Sequence, residues 1–385
     1  MKLQLLILIL FIICSSCSKD DPKDDECTNA EEIDNCYKID ETHLTDLKGY
    51  VPIIFKNQNN EIVMFNIEGN SLIVIDENLM MVWQKNFNIP IVHDVIQNES
   101  GEILLISQKN GETSEVMKLT DGGIVLWKEK IKNDSIPLYR SITQTQEKDG
   151  YLIAGMLPTF NTNFEQLPIV TKIDEDGITE WSKVIDNNKD HRIHDILEVQ
   201  GRYYIFGSSP LQTETGHDFY YYVIDNSGGI SEKKSVGDIF TYCNSLSLAD
   251  GSILTLSTSF NRLDGGDLDQ DFQLIKIDKQ GEVAWTKVYG GELKELPASI
   301  IPSINGGYYM SGSSPSYGFG QRDILLIKID DNGNVQWQHV YGTSETDNGG
   351  VMAQLDNSDL VAVSTGGTDQ TEIFIMKLDE NGMPK

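Results

Sequence analysis

Apolar and polar residues alternate, or form short β-branched runs, from about residue 50 to the end of the sequence. Such patterns are typical of half-buried and fully buried strands. Asn-Gly and Asp-Gly pairs lie between the runs and favour tight hairpin turns. No helical period follows the first sixteen residues, so the sequence predicts an all-β protein.

One unit recurs through this region. Residues 271–285 and 323–337 each run from Asp through an apolar strand to a second Asp, a Gly and a Trp, and residues 169–181 are a third copy. The final Trp, replaced by Lys233 in one copy, falls at positions 83, 127, 181, 233, 285 and 337. This spacing of roughly 50 residues is a period known for propeller blades.

The repeat divides into four strands, a to d. In the sixth unit we predict them at 297–304, 308–313, 323–329 and 335–341. Counting strand c predicts about seven four-stranded blades within residues 46–385, with six or eight as alternatives. Because the last unit stops before strand d, we expect the N-terminal segment 35–44 to supply it and close the ring.

The repeated Trp predicts a large apolar contact between neighbouring blades. The spacing of Asp, Gly and Trp resembles the PQQ-like propeller repeat, although the turn is one residue shorter and lacks a Thr before the Gly. Segments such as 289–291 and 306–309 look like repeats of large secreted Bacteroidetes proteins. The resemblance implies a β-propeller fold. We expect no quinone, because the sequence offers no recognisable set of ligands and stacking groups for it. The Trp spacing differs from that of the sialidase Asp box.

The N-terminal sixteen residues form one basic position and a short apolar run, the pattern of a secretory signal peptide. The run ends Cys14-Ser15-Ser16-Cys17, which resembles a bacterial lipobox with Cys17 as the acylated residue. Cys14 stands where families usually place Leu. This resemblance implies a lipoprotein held in the outer membrane by its acyl chains.

Residues 17–45 begin as an acidic tether that looks like the export signal of surface-exposed Bacteroidetes lipoproteins. The predicted placement is therefore the cell exterior. In such an oxidising compartment, Cys27 and Cys36 are expected to form a disulfide, with two free thiols as the alternative. Cys243 lies in an apolar strand and is expected to be a buried thiol.

Composition excludes several classes of function. A net charge of −29 repels nucleic acid phosphates, so we expect no nucleic acid partner. Phosphate-binding loops, nucleophile elbows and zinc motifs are absent from the sequence. We expect no cofactor apart from calcium, for which Asp264, Asp267, Asp269 and Asp271 offer alternating carboxylates. A solvated acidic hairpin is the alternative interpretation of that segment.

Two sets of residues are candidates for ligand binding on the face built from the b–c and d–a loops. The first lies at the mouth of the channel, where we expect Asp94, Arg140, Asp195 and Asn244 to be equivalent between blades. Mutual pairing of these Asp and Arg residues is the alternative. With the neighbouring histidines, the mouth set is His93, Asp94, Arg140, His194, Asp195 and Asn244.

The second set occupies the variable b–c loops. Aromatic side chains beside arginine are typical of binding hot spots, although each ring would alternatively fold back onto its own blade. This set is Phe160, Phe164, Phe260, Arg262, Tyr317, Phe319 and Arg322.

These features favour a non-catalytic cell-envelope lipoprotein that binds or scaffolds a glycan or protein partner. A carbohydrate-active hydrolase or lyase is the alternative, because an Asp/Asp/His set also performs acid–base chemistry. An outer-membrane assembly factor is a third hypothesis.

Overall fold

The computed structural model describes residues 33–38, 51, 53–66, 70–87, 89, 91–108, 114–131, 136–158, 166–187, 191–210, 217–259, 261–262, 268–366 and 371–385. Within these ranges the chain forms only strands, turns and bends. No helix in the described part of the chain is long and apolar enough to cross a membrane.

The strands, in chain order, are β1 (Asn35–Lys38), β2 (Ile53–Lys56), β3 (Ile62–Asn66), β4 (Ser71–Ile75), β5 (Met81–Asn86), β6 (Val92–Gln97), β7 (Ile103–Ser107), β8 (Glu115–Leu119), β9 (Val125–Lys130), β10 (Leu138–Gln144), β11 (Gly150–Pro158), β12 (Gln166–Asp174), β13 (Thr179–Val184), β14 (Arg192–Val199), β15 (Arg202–Pro210), β16 (His217–Ile224), β17 (Ile230–Ile239), β18 (Thr241–Ser247), β19 (Ile253–Thr258), β20 (Asn261–Arg262), β21 (Leu268–Asp269), β22 (Phe272–Ile277), β23 (Val283–Tyr289), β24 (Leu296–Pro302), β25 (Tyr308–Ser314), β26 (Asp323–Ile329), β27 (Val335–Gly342), β28 (Asn348–Gln354), β29 (Leu360–Gly366) and β30 (Glu372–Leu378).

These strands form the seven blades of a β-propeller, as the repeat predicts. Six sheets contain four consecutive blade strands, beginning with β2-β3-β4-β5 and with the small β20-β21 hairpin inserted in the fifth, and the seventh sheet is β28-β29-β30. The strands of the sixth blade lie within two residues of their predicted ends. The short apolar runs bounded by turn residues were sufficient for this, because the middle strands β25 and β26 are buried along their whole length.

The chain divides into two compact units, which are described separately. One contains residues 1–87, 261–272 and 288–385, and the other contains residues 88–260 and 273–287. In the second unit, middle strands such as β7 are buried throughout, whereas outer strand β9 alternates between exposed and partly buried residues.

For residues 35–38 the prediction of a closing strand on the seventh blade was wrong. Strand β1 pairs in parallel with β27, the outer strand of the sixth blade. The Tyr37 ring stacks on Tyr341 with centroids 5.3 Å apart, and Tyr37 is 2% exposed, so burial of this ring favours that edge. Strand β30 is instead followed by a short return, in which Leu378 bridges Pro384. Residues 39–50 lie outside the described part of the chain.

The repeated Trp packs between consecutive blades, as predicted, and it does so against the turn Gly of the next blade. In the second unit, a Cβ atom on Gly177 would lie 2.8 Å from the Trp127 ring, and Gly228 meets Trp181 at the same distance. Where Lys233 replaces the Trp, the Tyr221 hydroxyl donates a hydrogen bond of 2.9 Å to the Gly281 carbonyl of the next blade. The turn glycine therefore serves two purposes, positive φ and close contact.

Candidate functional site

Four consecutive inner strands of the second unit carry a β-bulge at the same point. The register shifts between Val92 and Asp94 in β6, and equivalent shifts occur in β10, β14 and β18. Val92 pairs with Ser107 at the end of β7, so the bulge lies at the b–c loop end of its blade. A bulge of this kind re-aims side chains and is over-represented beside active sites. The extra residues are His93, Arg140, His194 and Cys243.

The bulges correct the predicted equivalence between blades by one residue. Arg140 corresponds to His93 and His194, whereas Ser141 corresponds to Asp94 and Asp195. The mouth therefore has an outer row of four bulged residues and a second row that contains two carboxyl groups, a hydroxyl and the amide of Asn244. Sequence alone did not show this because the bulge is a property of the backbone pairing.

Ser141 connects the two carboxyl groups of the second row. Its Oγ atom lies 3.0 Å from Asp94 Oδ2 and 2.8 Å from Asp195 Oδ1. A serine hydroxyl carries a single hydrogen and can donate to only one of these oxygens. Both contacts are satisfied when Asp94 is protonated and donates to Ser141, which in turn donates to Asp195.

The environment of Asp94 is consistent with this shared proton. Burial, followed by the charge of Asp195, raises the pKa of Asp94 to about 7. The backbone N–H groups of Val95 and Ile142 also donate to its carboxyl group, at 2.8 and 2.9 Å. At neutral pH the pair therefore carries less than two negative charges.

Tyr242 extends the hydrogen-bonded chain. Its hydroxyl donates to Asp195 Oδ2 at 2.5 Å and lies 2.9 Å from Ser245 Oγ, which lies 3.0 Å from Thr255 Oγ1. The Tyr242 ring stacks on His194 with centroids 5.0 Å apart. This tyrosine belongs to the site and was missed, although it directly precedes the predicted Cys243-Asn244 segment.

The two histidines of the outer row are neutral at physiological pH. Burial, and then the positive charge of Arg140, lowers the pKa of His93 to about 4. Burial is also the main cause that lowers the pKa of His194 to about 4, with smaller contributions from nearby positive charges. Nδ1 of neutral His93 accepts a hydrogen bond from Arg140 Nη1 at 3.0 Å.

Arg140 is exposed and does not pair with either carboxyl group. Its hydrogen-bond partner among the described residues is His93. The alternative in which Asp and Arg neutralise each other is therefore not what the structure contains. At the end of the row, Cys243 is a free thiol whose pKa burial raises to about 12, and its Sγ lies 3.5 Å from Oδ1 of the partly exposed Asn244.

The loop set is only partly described. Tyr317, expected to be exposed, is 3% exposed and donates a hydrogen bond of 3.0 Å to the Gly290 carbonyl of the preceding d–a loop. The ring folds back because its hydroxyl can satisfy a loop carbonyl. Phe319 and Arg322 are partly exposed. The structure does not describe Phe160, Phe164, Phe260 or the side chain of Arg262.

The predicted calcium segment is also partly outside the described residues, which contain no group of three metal-ligating side chains. Asp264, Asp267 and the side chain of Asp269 are not described. Asp271 is buried, and a Cβ atom on Gly290 would lie 1.8 Å from its Oδ1.

Asp323 and Gly342 repeat this contact in the next blade, where the distance would be 1.5 Å. The contact explains why a small residue follows the repeated Tyr. Burial raises the pKa of Asp323 to about 8. From sequence, Asp323 was recognised only as the first residue of a repeat copy.

The predictions for the N-terminal cysteines concern a disulfide and a lipidation site. Cys36 is disulfide-bonded. Its predicted partner Cys27 and the predicted lipidation site Cys17 lie outside the described residues.

Comparison with known proteins identifies the fold alone. No protein-family model matches the chain, and no curated relative matches it. A streptogramin B lyase structure superposes with a TM-score of 0.54 at 13% identity, covering 88% of this chain and 97% of that one. A structure described as the Dos1 propeller gives 0.51 at 10% identity, covering 88% and 83%.

Puromycin hydrolase is similar with a TM-score of 0.55 at 10% identity, and the match covers 88% of this chain but 53% of that one. At such identities, these neighbours share the propeller fold with this chain. Their chemistry does not transfer by similarity.

Proposed function

We propose that this protein is a lipoprotein of the bacterial outer membrane that binds a glycan or protein partner at the bulged mouth of its propeller. The Bacteroidetes-like tether supports placement on the cell exterior. Acyl chains on Cys17 would hold the protein at the membrane, each buried methylene contributing roughly 0.8 kcal/mol.

One observation carries the binding site. The same bulge occurs in the sixth blade, where Ala298 is the extra residue, and the corresponding irregularity of the seventh blade contains Gly349 and Gly350. Ala and Gly are therefore compatible with the bulged backbone conformation. The folding of the blade does not require His93 or Arg140 at this position, which favours recognition as the reason for their presence.

The binding proposal is tested with partners captured from detergent-solubilised envelope or from a glycan array. Combined His194→Ala and Asn244→Ala substitutions should weaken binding at least tenfold, about 1.4 kcal/mol. Asn332→Ala and Gln280→Ala on the c–d turns are the matched controls and should leave binding unchanged. Equal effects of both pairs would contradict a site at the mouth.

Membrane attachment is tested separately. Mass spectrometry of the N-terminal peptide should find acyl chains on Cys17, and Cys17→Ser should release the protein from membranes. Cys14→Ser should not release it. Membrane retention of Cys17→Ser would show that another feature anchors the protein.

A specific observation also supports a catalytic alternative. Asp94 is partly exposed and its pKa of about 7 suits a general acid or base at neutral pH. Similar folds include a streptogramin B lyase and a puromycin hydrolase. Turnover of any polysaccharide or peptide that Asp94→Asn abolishes, with binding preserved, would favour this alternative over binding alone.

A further inference from the structure

The bulged mouth of the second unit concentrates positive charge in a strongly acidic protein. The sequence contains 30 basic residues, five of them arginines, against 59 acidic residues. Arg140 and Arg192 lie at the b–c loop ends of neighbouring inner strands, β10 and β14, and both are exposed. His93, His194 and His217 lie at the b–c loop ends of β6, β14 and β16.

The pKa values of these histidines respond to the charges of both arginines, which places Arg140 and Arg192 near the same imidazole. After burial, the charges of Arg192 and Arg140 both lower the pKa of His194. Arg192 also lowers the pKa of His217, again after burial. His93 and His194 are consequently neutral and can form hydrogen bonds without carrying a charge, although His194 Nε2 already lies 2.8 Å from Ser208 Oγ.

The acidic groups beneath this row do not neutralise it. Asp94 and Asp195 face Ser141, and Asp195 also accepts the Tyr242 hydroxyl. Their oxygens already accept backbone N–H groups and hydroxyls. Arg140 instead donates a hydrogen bond to His93 Nδ1.

We propose that the bulged mouth binds a carboxylate group of its ligand through the guanidinium groups of Arg140 and Arg192, with His93 and His194 as neutral hydrogen-bonding partners. An arginine fork matches the two oxygens of a carboxylate, and such charge-assisted bonds are roughly twice as strong as neutral ones. The net charge of −29 opposes this weakly, because distant surface charges are screened over about 8 Å at physiological ionic strength.

This inference rests on the proposed binding function and names the chemistry of the ligand. The carboxylate has two sources in the cell envelope, a uronic acid of a glycan and the C-terminus of a peptide. Both present the same group to the arginines, and the experiment separates them.

The test uses trigalacturonate and its methyl ester, and acetyl-trialanine and its C-terminal amide, with titrations followed by calorimetry and by NMR of the histidine ring signals. We expect one free acid to bind at least tenfold more tightly than its neutral counterpart and to shift the signals of His93 and His194. The acid that does so identifies the source.

Arg140→Gln and Arg192→Gln should each weaken binding of that acid at least tenfold, and Arg140→Lys should restore only part of the affinity, because it keeps the charge and loses the fork. Arg202→Gln, at the opposite end of the same blade as Arg192, is the matched control and should leave binding unchanged. Circular dichroism of each variant verifies that it is folded.

Equal binding of acids and neutral counterparts, or no binding of either acid at concentrations of about 1 mM, would overturn the carboxylate assignment. So would equal effects of Arg140→Gln and Arg202→Gln. A captured envelope partner that is sensitive to His194→Ala and insensitive to Arg140→Gln would leave the proposed function standing while this inference fails.

Discussion

The proton shared by Asp94 and Asp195 makes stability depend on pH. A carboxyl group whose pKa is about 7 in the folded protein, against roughly 3.9 in the unfolded chain, binds its proton more tightly when folded. Its contribution to stability is therefore fully present at low pH and is lost as the pH rises through about 7. Asp94→Asn removes this titration while it keeps the shape of the side chain.

The magnitude follows from the two pKa values. Each pH unit between them changes the free energy of unfolding by about 1.4 kcal/mol. From pH 5 to pH 8 the wild type should lose roughly 2 to 3 kcal/mol from this group, with most of the loss below pH 7. Asn cannot accept the Ile142 N–H at the atom that donates to Ser141, so the variant should be destabilised by about 1 kcal/mol from that lost hydrogen bond.

The assay is urea denaturation of the wild type and of Asp94→Asn at pH 5, 6, 7 and 8. The difference in free energy of unfolding isolates Asp94 from other titrating groups such as Asp323. The free energy of unfolding of the wild type minus that of Asp94→Asn should fall by roughly 2 to 3 kcal/mol from pH 5 to pH 8, so that the variant is the more stable protein at pH 8, whereas the exposed control Asp176→Asn should show no such trend. A difference that is constant with pH would refute the shared proton.

Other substitutions test the blade contacts. Gly177→Ala should cost more than Gly306→Ala, because both residues have positive φ but only Gly177 meets a Trp ring, and chemical denaturation should show a gap of about 1 kcal/mol or more. Lys118→Met should destabilise the protein by about 2 kcal/mol, because it leaves two partly exposed glutamates without their ion-pair partner. The Lys328 amine pairs with backbone carbonyls instead, so Lys328→Met should cost under about 1 kcal/mol. Tyr37→Ala should cost about 3 kcal/mol and lower the melting temperature. An equal cost within either pair, or an unchanged melting temperature, would contradict the corresponding contact.

Strand positions were predictable because every blade repeats the same alternation and the same turn residues. The sheet edge with which β1 pairs was not predictable, because it depends on the stack of Tyr37 on Tyr341, which is about 300 positions away in the sequence. Nothing local to residues 35–38 distinguishes the outer edge of the sixth blade from that of the seventh.

The sequence predicted which residues lie at the ends of the inner strands, but it did not predict their register. His93, Arg140 and His194 were recognised from the ends of predicted inner strands, whereas the roles of Ser141 and Tyr242 appear only when the bulge aligns them. A bulge leaves no mark in composition because His, Arg, Cys and Ala all occupy its extra position in this chain.

That tolerance leads to a final prediction about the outer row. Because Ala298 occupies the extra position of the bulge in the sixth blade, we expect that His93→Ala and Cys243→Ala will also be compatible with the bulges of their own blades. The losses are one hydrogen bond to Arg140 and one weak thiol contact, so the combined cost should be under about 2 kcal/mol. Denaturation curves of the double variant would check this, and binding of the captured partner should fall in the same sample. A larger loss of stability with binding retained would mean that these side chains maintain the blade and that recognition lies elsewhere.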